Sequence, residues 1–117
     1  MRRIYRSRQG KPTSSLIGEK DPLEKEVQLR IKTLYVSVGV HVYDTSQAFR
    51  AQITPGVPDL ILFHGSHHWY HEVKKERGLV TDDQALFGMR CRNSGVPYLL
   101  GGLEVAEDHL RAIGIIK

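Results

Sequence analysis

The run Asp59-Leu60-Ile61-Leu62-Phe63 constrains the fold of this chain more than any other feature. Consecutive apolar residues, in place of an apolar–polar alternation, are typical of a strand that is buried on both faces. The turn-rich residues 54–58 precede the run, and residues 64–67 follow it as a hairpin loop. Residues 68–75 are expected to return as the next strand. The sequence therefore predicts two adjacent strands at the centre of a sheet.

Three helices are predicted around these strands. The first begins at Asp21-Pro22, an N-cap followed by a proline at the first helical position, and ends at Gly39. Its apolar residues recur at spacings of three and four: Leu23, Val27, Ile31, Leu34 and Val38. The second begins at Thr81, which forms a capping-box pattern with Gln84, and reaches about residue 93. The third spans residues 104–112 and is closed by Gly114.

Further short strands are predicted at residues 40–45, 48–53 and 97–100. The order of helix, strands, helix, strand and helix predicts an α/β or α+β fold, in which a central mixed β-sheet is flanked by α-helices. We expect the first helix on one side of the sheet and the Thr81 helix beside the functional site. A chain of 117 residues fits one domain, which we place at residues 21–117.

The basic charge of the chain is concentrated at its beginning. The net charge is +4, but the first 12 residues carry +5 with no acidic residue, which leaves −1 on the rest. We therefore interpret residues 1–20 as a basic, flexible arm. Such an arm can bind nucleic-acid phosphates and release counterions, and the alternative is a solubilising tail. The basic residues among the first 12 are Arg2, Arg3, Arg6, Arg8 and Lys11.

Nothing in the sequence predicts a membrane or secreted protein. There is no run of 18 apolar residues, and the basic N-terminus lacks the apolar segment of a secretory signal. The single cysteine, Cys91, excludes an intramolecular disulfide and suits a reducing compartment. We expect a cytoplasmic protein.

The candidate chemistry lies on the two central strands. Glu72 and Lys74 are two residues apart and share a strand face, and the hairpin brings Asp59 beside them. Two carboxylates about 4 Å apart repel by roughly 4 kcal/mol at an effective dielectric near 20. A divalent cation removes this repulsion, and Mg²⁺ or Mn²⁺ prefers such oxygen ligands, with the backbone carbonyl of Val73 as a third. The alternative is an ordinary ion pair between Glu72 and Lys74, with Asp59 at a turn.

This cation would activate water and polarise a phosphate, while Lys74 stabilises the developing negative charge. Three motifs occur in this order along the chain: Gly56-Val57-Pro58-Asp59-Leu60, Glu72-Val73-Lys74-Lys75, and Gly78-Leu79 followed by Thr81-Asp82-Asp83-Gln84. Together they resemble the virus-type replication-repair nuclease (VRR-NUC) domain, a branch of the PD-(D/E)xK nuclease superfamily. The resemblance extends from about Leu23 to Leu100.

The resemblance implies a restriction-endonuclease-like fold and a Mg²⁺- or Mn²⁺-dependent nuclease. It implies a metal site at Asp59 and Glu72, with Lys74 as a catalytic residue and Gln84 near the site. A further acid of the first helix corresponds to Glu24, whereas Glu26 is expected to face solvent. Family members that consist of little more than this domain tend to come from phages and are associated with homodimers that cleave branched DNA. The resemblance therefore also implies a homodimer that acts on branched DNA such as four-way (Holliday) junctions. Lys75 and the basic arm would then bind DNA.

Two alternatives remain at this point. A non-catalytic nucleic-acid-binding module would keep the fold and the arm but would bind without metal or cleavage. A zinc protein could use the four histidines His64, His67, His68 and His71. Strand alternation puts His68 on the face of Glu72 and His71 on the opposite face, so these four side chains are not expected to converge.

Overall fold

The computed structural model describes residues 21–47 and 54–117. The basic arm at residues 1–20 and the strand predicted at residues 48–53 lie outside the described residues. The predictions for Arg2, Arg3, Arg6, Arg8 and Lys11 therefore stay predictions.

Helix α1 spans Pro22–Ser37 and begins as the sequence predicts. The Asp21 carboxylate accepts a hydrogen bond of 2.8 Å from the backbone N–H of Leu23, and Pro22 occupies the first turn. The apolar stripe differs from the prediction at its first residue, because Leu23 is 53% exposed. Ile31 and Tyr35 are fully buried instead, so the buried face is centred on the second half of the helix.

Within the described residues, four strands form one sheet, which is mixed as predicted and has the order β1-β2-β3-β4. They are β1 (His41–Asp44), β2 (Leu60–His64), β3 (His67–Val73) and β4 (Tyr98–Gly101). The first two pairings are antiparallel and the β3–β4 pairing is parallel. Helix α2 (Asp82–Asn93) forms the crossover between β3 and β4, and α3 (Leu103–Ala112) follows β4.

The central hairpin is tighter than the predicted loop. His64 and His67 pair with each other as strand residues, which leaves only Gly65 and Ser66 in the turn. Gly65 has a φ of 59°, a conformation that residues with a Cβ rarely adopt. The two-residue turn fixes the register of β2 against β3.

One face of the sheet contacts the core. Leu60, Leu62, Trp69 and Val73 are fully buried there against residues of α1 and α3. The prediction that β2 is buried on both faces is wrong for Phe63, which is 40% exposed. On the outer face, α2 packs beside β4 through Phe87 and Tyr98, and Phe87 also contacts Tyr70 of β3. The far end of β2 therefore keeps an exposed side chain.

A chain of hydrogen bonds crosses the core. The indole N–H of Trp69 donates to the Tyr35 hydroxyl (3.3 Å), and that hydroxyl donates to Nδ1 of His71 (2.8 Å). The Nε2–H of His71 donates to the Gly101 carbonyl at 3.1 Å. Because a carbonyl only accepts, this bond fixes the tautomer of His71. Burial lowers the pKa of His71 to about 4, so the ring is neutral at pH 7.

A second polar group ties α1 to β1. The buried Gln28 donates from Nε2 to the Asp44 carboxylate (3.1 Å) and to the Ser46 hydroxyl (2.8 Å). Lys32 forms an ion pair of 2.7 Å with the same carboxylate. Burial raises the pKa of Asp44, but hydrogen bonds from Lys32 and Ser46 outweigh it and hold the pKa below its usual value. Among the described residues, no helix is long and apolar enough to cross a membrane.

We expect the Tyr35→Phe substitution to destabilise the protein by about 1–3 kcal/mol, because it leaves two buried ring nitrogens without their hydrogen-bond partner. Urea unfolding followed by circular dichroism measures the loss. Tyr43→Phe is the matched control, since Tyr43 is 61% exposed. Equal free energies of unfolding for the two variants would contradict a structural role for the buried hydroxyl.

Candidate active site

The register of β2 against β3 places Asp59 opposite Glu72. Leu60 pairs with His71, so the residue before Leu60 and the residue after His71 face each other across the two strands. Both side chains are almost completely buried, with 1% of Asp59 and 3% of Glu72 exposed. The structure therefore brings the two predicted carboxylates together.

Asp59 is held by residues at the ends of two strands, β1 and β3. The backbone N–H of Thr45, just after β1, donates to the Asp59 carbonyl at 2.8 Å. The Thr45 hydroxyl contacts the carbonyls of Pro58 and Asp59. From β3, the backbone N–H of Val73 donates to Asp59 Oδ2 at 3.0 Å. These bonds fix both the backbone and the side chain of Asp59.

Glu72 is oriented by a glutamine from α2. Gln84 donates from Nε2 to Glu72 Oε2 at 2.9 Å, and the Lys74 ammonium lies 4.0 Å from the same oxygen. Only 13% of the Lys74 side chain is exposed, so water screens its charge weakly. The backbone N–H of Lys74 donates to the Gly101 carbonyl at 3.1 Å, which fixes this residue at the end of β4.

Gln84 has two structural tasks. The predicted capping box is confirmed: Oε1 of Gln84 accepts from the Thr81 N–H (3.0 Å), and the Thr81 hydroxyl accepts from the Gln84 N–H (3.1 Å). Because Oε1 is the acceptor in the cap, Nε2 faces Glu72 as the donor. One amide thus begins the helix and orients the carboxylate.

The loop before Asp59 packs directly against the start of α2. Gly56 has a φ of 88°, and a Cβ at this position would lie 2.4 Å from the Asp83 carbonyl oxygen. Only glycine fits both the conformation and the space. This close approach keeps the loop that carries Asp59 beside the helix that carries Gln84.

Tyr98 is a site neighbour that the sequence analysis missed. Its hydroxyl is buried and has no hydrogen-bond partner among the described residues. Burial, followed by the negative charges of Glu72 and then Asp59, raises the pKa of Tyr98 above its usual value. Tyr98 reaches this place through the parallel pairing of β4 with β3, and no local sequence signal specifies that pairing.

The first turn of α1 lies beside the basic residues that follow β3. Lys75 forms an ion pair of 2.8 Å with Asp21, and this bond and the nearby Glu24 raise the pKa of Lys75. Glu24 is half-buried, whereas Glu26 is exposed and pairs with Arg30. The expected orientations of the two glutamates are thus observed. The catalytic role of Glu24 and the DNA contact of Lys75 stay predictions.

The histidines of the hairpin do not form a metal site. His71 lies buried on the core face, while His68 stacks on Phe63 and contacts Tyr70 on the other face. Within residues 21–47 and 54–117, no three His, Cys, Asp or Glu side chains are arranged to hold a metal ion. The zinc interpretation therefore has no structural support in this part of the chain.

We expect Gln84→Glu to destabilise the protein near pH 8 in EDTA, because it replaces the amide donor by a carboxylate facing Glu72. A glutamate at this position can still complete the capping box, so the loss reports on the contact with Glu72. The destabilisation should shrink toward pH 5, where two facing carboxylates can share a proton. Thermal unfolding at both pH values measures it, with Asp83→Glu as the control. If Gln84→Glu lowered the unfolding temperature equally at pH 5 and pH 8, the proposed repulsion between the new carboxylate and Glu72 would be contradicted.

The fold of this chain is similar to that of a solved structure, although its sequence matches little. No protein-family model matches the chain, and no curated protein sequence matches it. A solved structure described as a VRR_NUC domain is similar, with a TM-score of 0.58 and 22% sequence identity. The match covers 75% of this chain and 94% of that structure. The mixed sheet flanked by helices is thus confirmed, and the chain has the fold of a VRR_NUC domain.

Proposed function

We propose that this protein is a metal-dependent DNA endonuclease that hydrolyses phosphodiester bonds. Its active site is formed by Asp59, Glu72 and Lys74. One observation carries the proposal: two buried carboxylates oppose each other, Asp59 directly before β2 and Glu72 on β3, with an ammonium group 4.0 Å from Glu72. A buried ion pair is weak evidence for stability, because apolar residues of similar volume often replace it without loss. A second buried carboxylate beside this pair therefore points to a functional role.

The donor set suits a hard divalent cation. Asp59, Glu72 and the backbone carbonyl of Val73 would hold Mg²⁺ or Mn²⁺, which prefer oxygen ligands and retain several waters. Because water molecules complete the coordination of such a cation, two carboxylates are sufficient and no third acidic or histidine side chain is needed. When bound, the cation supplies electrostatic polarisation of the phosphate and acidifies water.

The protein's own groups have separate tasks in this proposal. Lys74 stabilises the negative charge that develops on the phosphate, and its burial makes this interaction stronger than it would be in water. Gln84 holds the Glu72 carboxylate in one orientation, so that little rearrangement is needed during the reaction. Glu24 belongs to the same proposal as a further acid near the site.

DNA is the proposed substrate, with branched DNA such as a four-way junction as the preferred form and a homodimer as the active species. The VRR_NUC fold supports a nuclease in general. A dimer with two-fold symmetry would present two equivalent sites to the two symmetric strands of a junction. The basic arm and Lys75 would bind phosphates of the same substrate.

The test is a cleavage assay on labelled four-way junction, flap and plain duplex DNA with Mg²⁺, Mn²⁺ or EDTA. We expect metal-dependent cleavage that Lys74→Ala lowers at least about 100-fold, the effect of losing one group that stabilises developing charge. Lys25→Ala, on the exposed side of α1, is the matched control.

Each outcome of this assay decides a different part of the proposal. Equal cleavage of duplex and junction would exclude branch recognition but keep the nuclease. Tight binding without cleavage of any substrate would favour the non-catalytic binding module. Cleavage that persists unchanged in Lys74→Ala would contradict the assignment of the site.

Deletion of residues 1–12 tests the basic arm separately. We expect weaker DNA binding and a shallower dependence of affinity on salt, because five positive charges are removed. Fluorescence anisotropy at several salt concentrations measures both quantities. An unchanged affinity with an unchanged salt slope would exclude the arm from binding.

A further inference from the structure

A cleft of about 550 Å³ lies between the loop at residues 54–57, which precedes Asp59, and helix α2, whose first turn contacts Glu72. Its walls are mostly apolar and aromatic and include Val57, Tyr70, Leu86 and Phe87. Arg90 also lines the cleft and is exposed to solvent. Sites for small molecules occupy about 300–1,000 Å³ and combine such walls with a few polar groups.

The cleft and the site are built on the same three segments. Tyr70 precedes Glu72 by two residues on β3, which places it on the same face and about 7 Å along the strand. Val57 precedes Asp59 by two residues, and Asp83, also in the wall, directly precedes Gln84. A molecule bound in the cleft would therefore contact the same three segments that carry Asp59, Glu72 and Gln84.

The chemistry of the walls fits a nucleobase. Tyr70 and Phe87 form an edge-to-face pair with ring centroids 5.3 Å apart. Aromatic and apolar side chains stack on the flat faces of bases in single-stranded nucleic acids, whatever the base. The guanidinium of Arg90 complements the negative charge of the backbone, and the Asp83 carboxylate can accept from exocyclic amino groups.

We infer that this cleft binds one unpaired nucleobase of the substrate, next to the phosphate that is cleaved. The inference rests on the proposed function and deepens it. A base inside a duplex is stacked on its neighbours and cannot enter without being extruded. Nucleotides at a branch or in a single strand are already unpaired, so the cleft would favour such substrates over plain duplex.

The inference is tested by DNA binding in EDTA, where no cleavage is required. A flap oligonucleotide is given a single abasic site, which is moved through the unpaired positions one at a time. We expect one position at which loss of the base weakens binding about tenfold, within the range for one stacked base. Fluorescence of 2-aminopurine at that position should be quenched on binding, because the base stacks on the cleft aromatics.

Matched variants of α2 locate the effect. Leu86 lines the cleft and is 38% exposed, whereas Met89 on the same helix is 44% exposed and does not line it. Leu86→Glu should remove the abasic effect and the quenching, while Met89→Glu should keep both. Arg90→Ala should weaken binding more than Arg92→Ala, its exposed neighbour in the same turn. If circular dichroism shows that Leu86→Glu is unfolded, Leu86→Ser replaces it.

The inference is overturned if no unpaired position is sensitive to loss of its base. It is equally overturned if Leu86→Glu and Met89→Glu bind the abasic series alike, or if no flap DNA is bound at all. Metal-dependent cleavage without any position effect would exclude the cleft as a base-binding site but leave the proposed nuclease activity in place. A position effect that depends on Leu86 in a protein that never cleaves would keep the cleft as a binding site and reject the nuclease.

Discussion

The pairing of β2 with β3 is the constraint on which the candidate site depends. Its register sets Asp59 opposite Glu72 and sends both side chains, with Tyr70, to the outer face. A slip of one residue would send each side chain of the moved strand to the opposite face. The two-residue turn at Gly65-Ser66 and the buried residues of the core face prevent such a slip. The same interactions that fold the sheet therefore assemble the site.

Two opposed carboxylates in a buried position are costly to fold, and the structure offsets this cost locally. The backbone N–H of Val73 and the side-chain amide of Gln84 each donate to one of them, and Lys74 supplies positive charge. These groups restrict how the carboxylates can move, so the oxygens are organised before a ligand arrives. In this account, a bound cation removes the repulsion that remains.

The parts of the fold that follow local rules could be predicted from the sequence. The Asp21 N-cap, the capping box of Thr81 and the central hairpin depend on residues within a few positions of each other. The placement of Tyr98 could not be predicted, because it depends on a parallel pairing formed across helix α2. The hydrogen bond between Tyr35 and His71 joins residues 36 positions apart and has no sequence signature. Asp59 and Glu72 were predictable as a pair because a hairpin connects them.

Calorimetric titration of Mn²⁺ into the metal-free protein tests the central claim most directly. We expect one bound ion per chain, and at least tenfold weaker binding in both Asp59→Asn and Glu72→Gln. Asp108→Asn is the control, because the Asp108 side chain is 76% exposed on α3. Equal Mn²⁺ affinity in the wild type and both site variants, or no binding in the wild type, would contradict a metal site between these two strands.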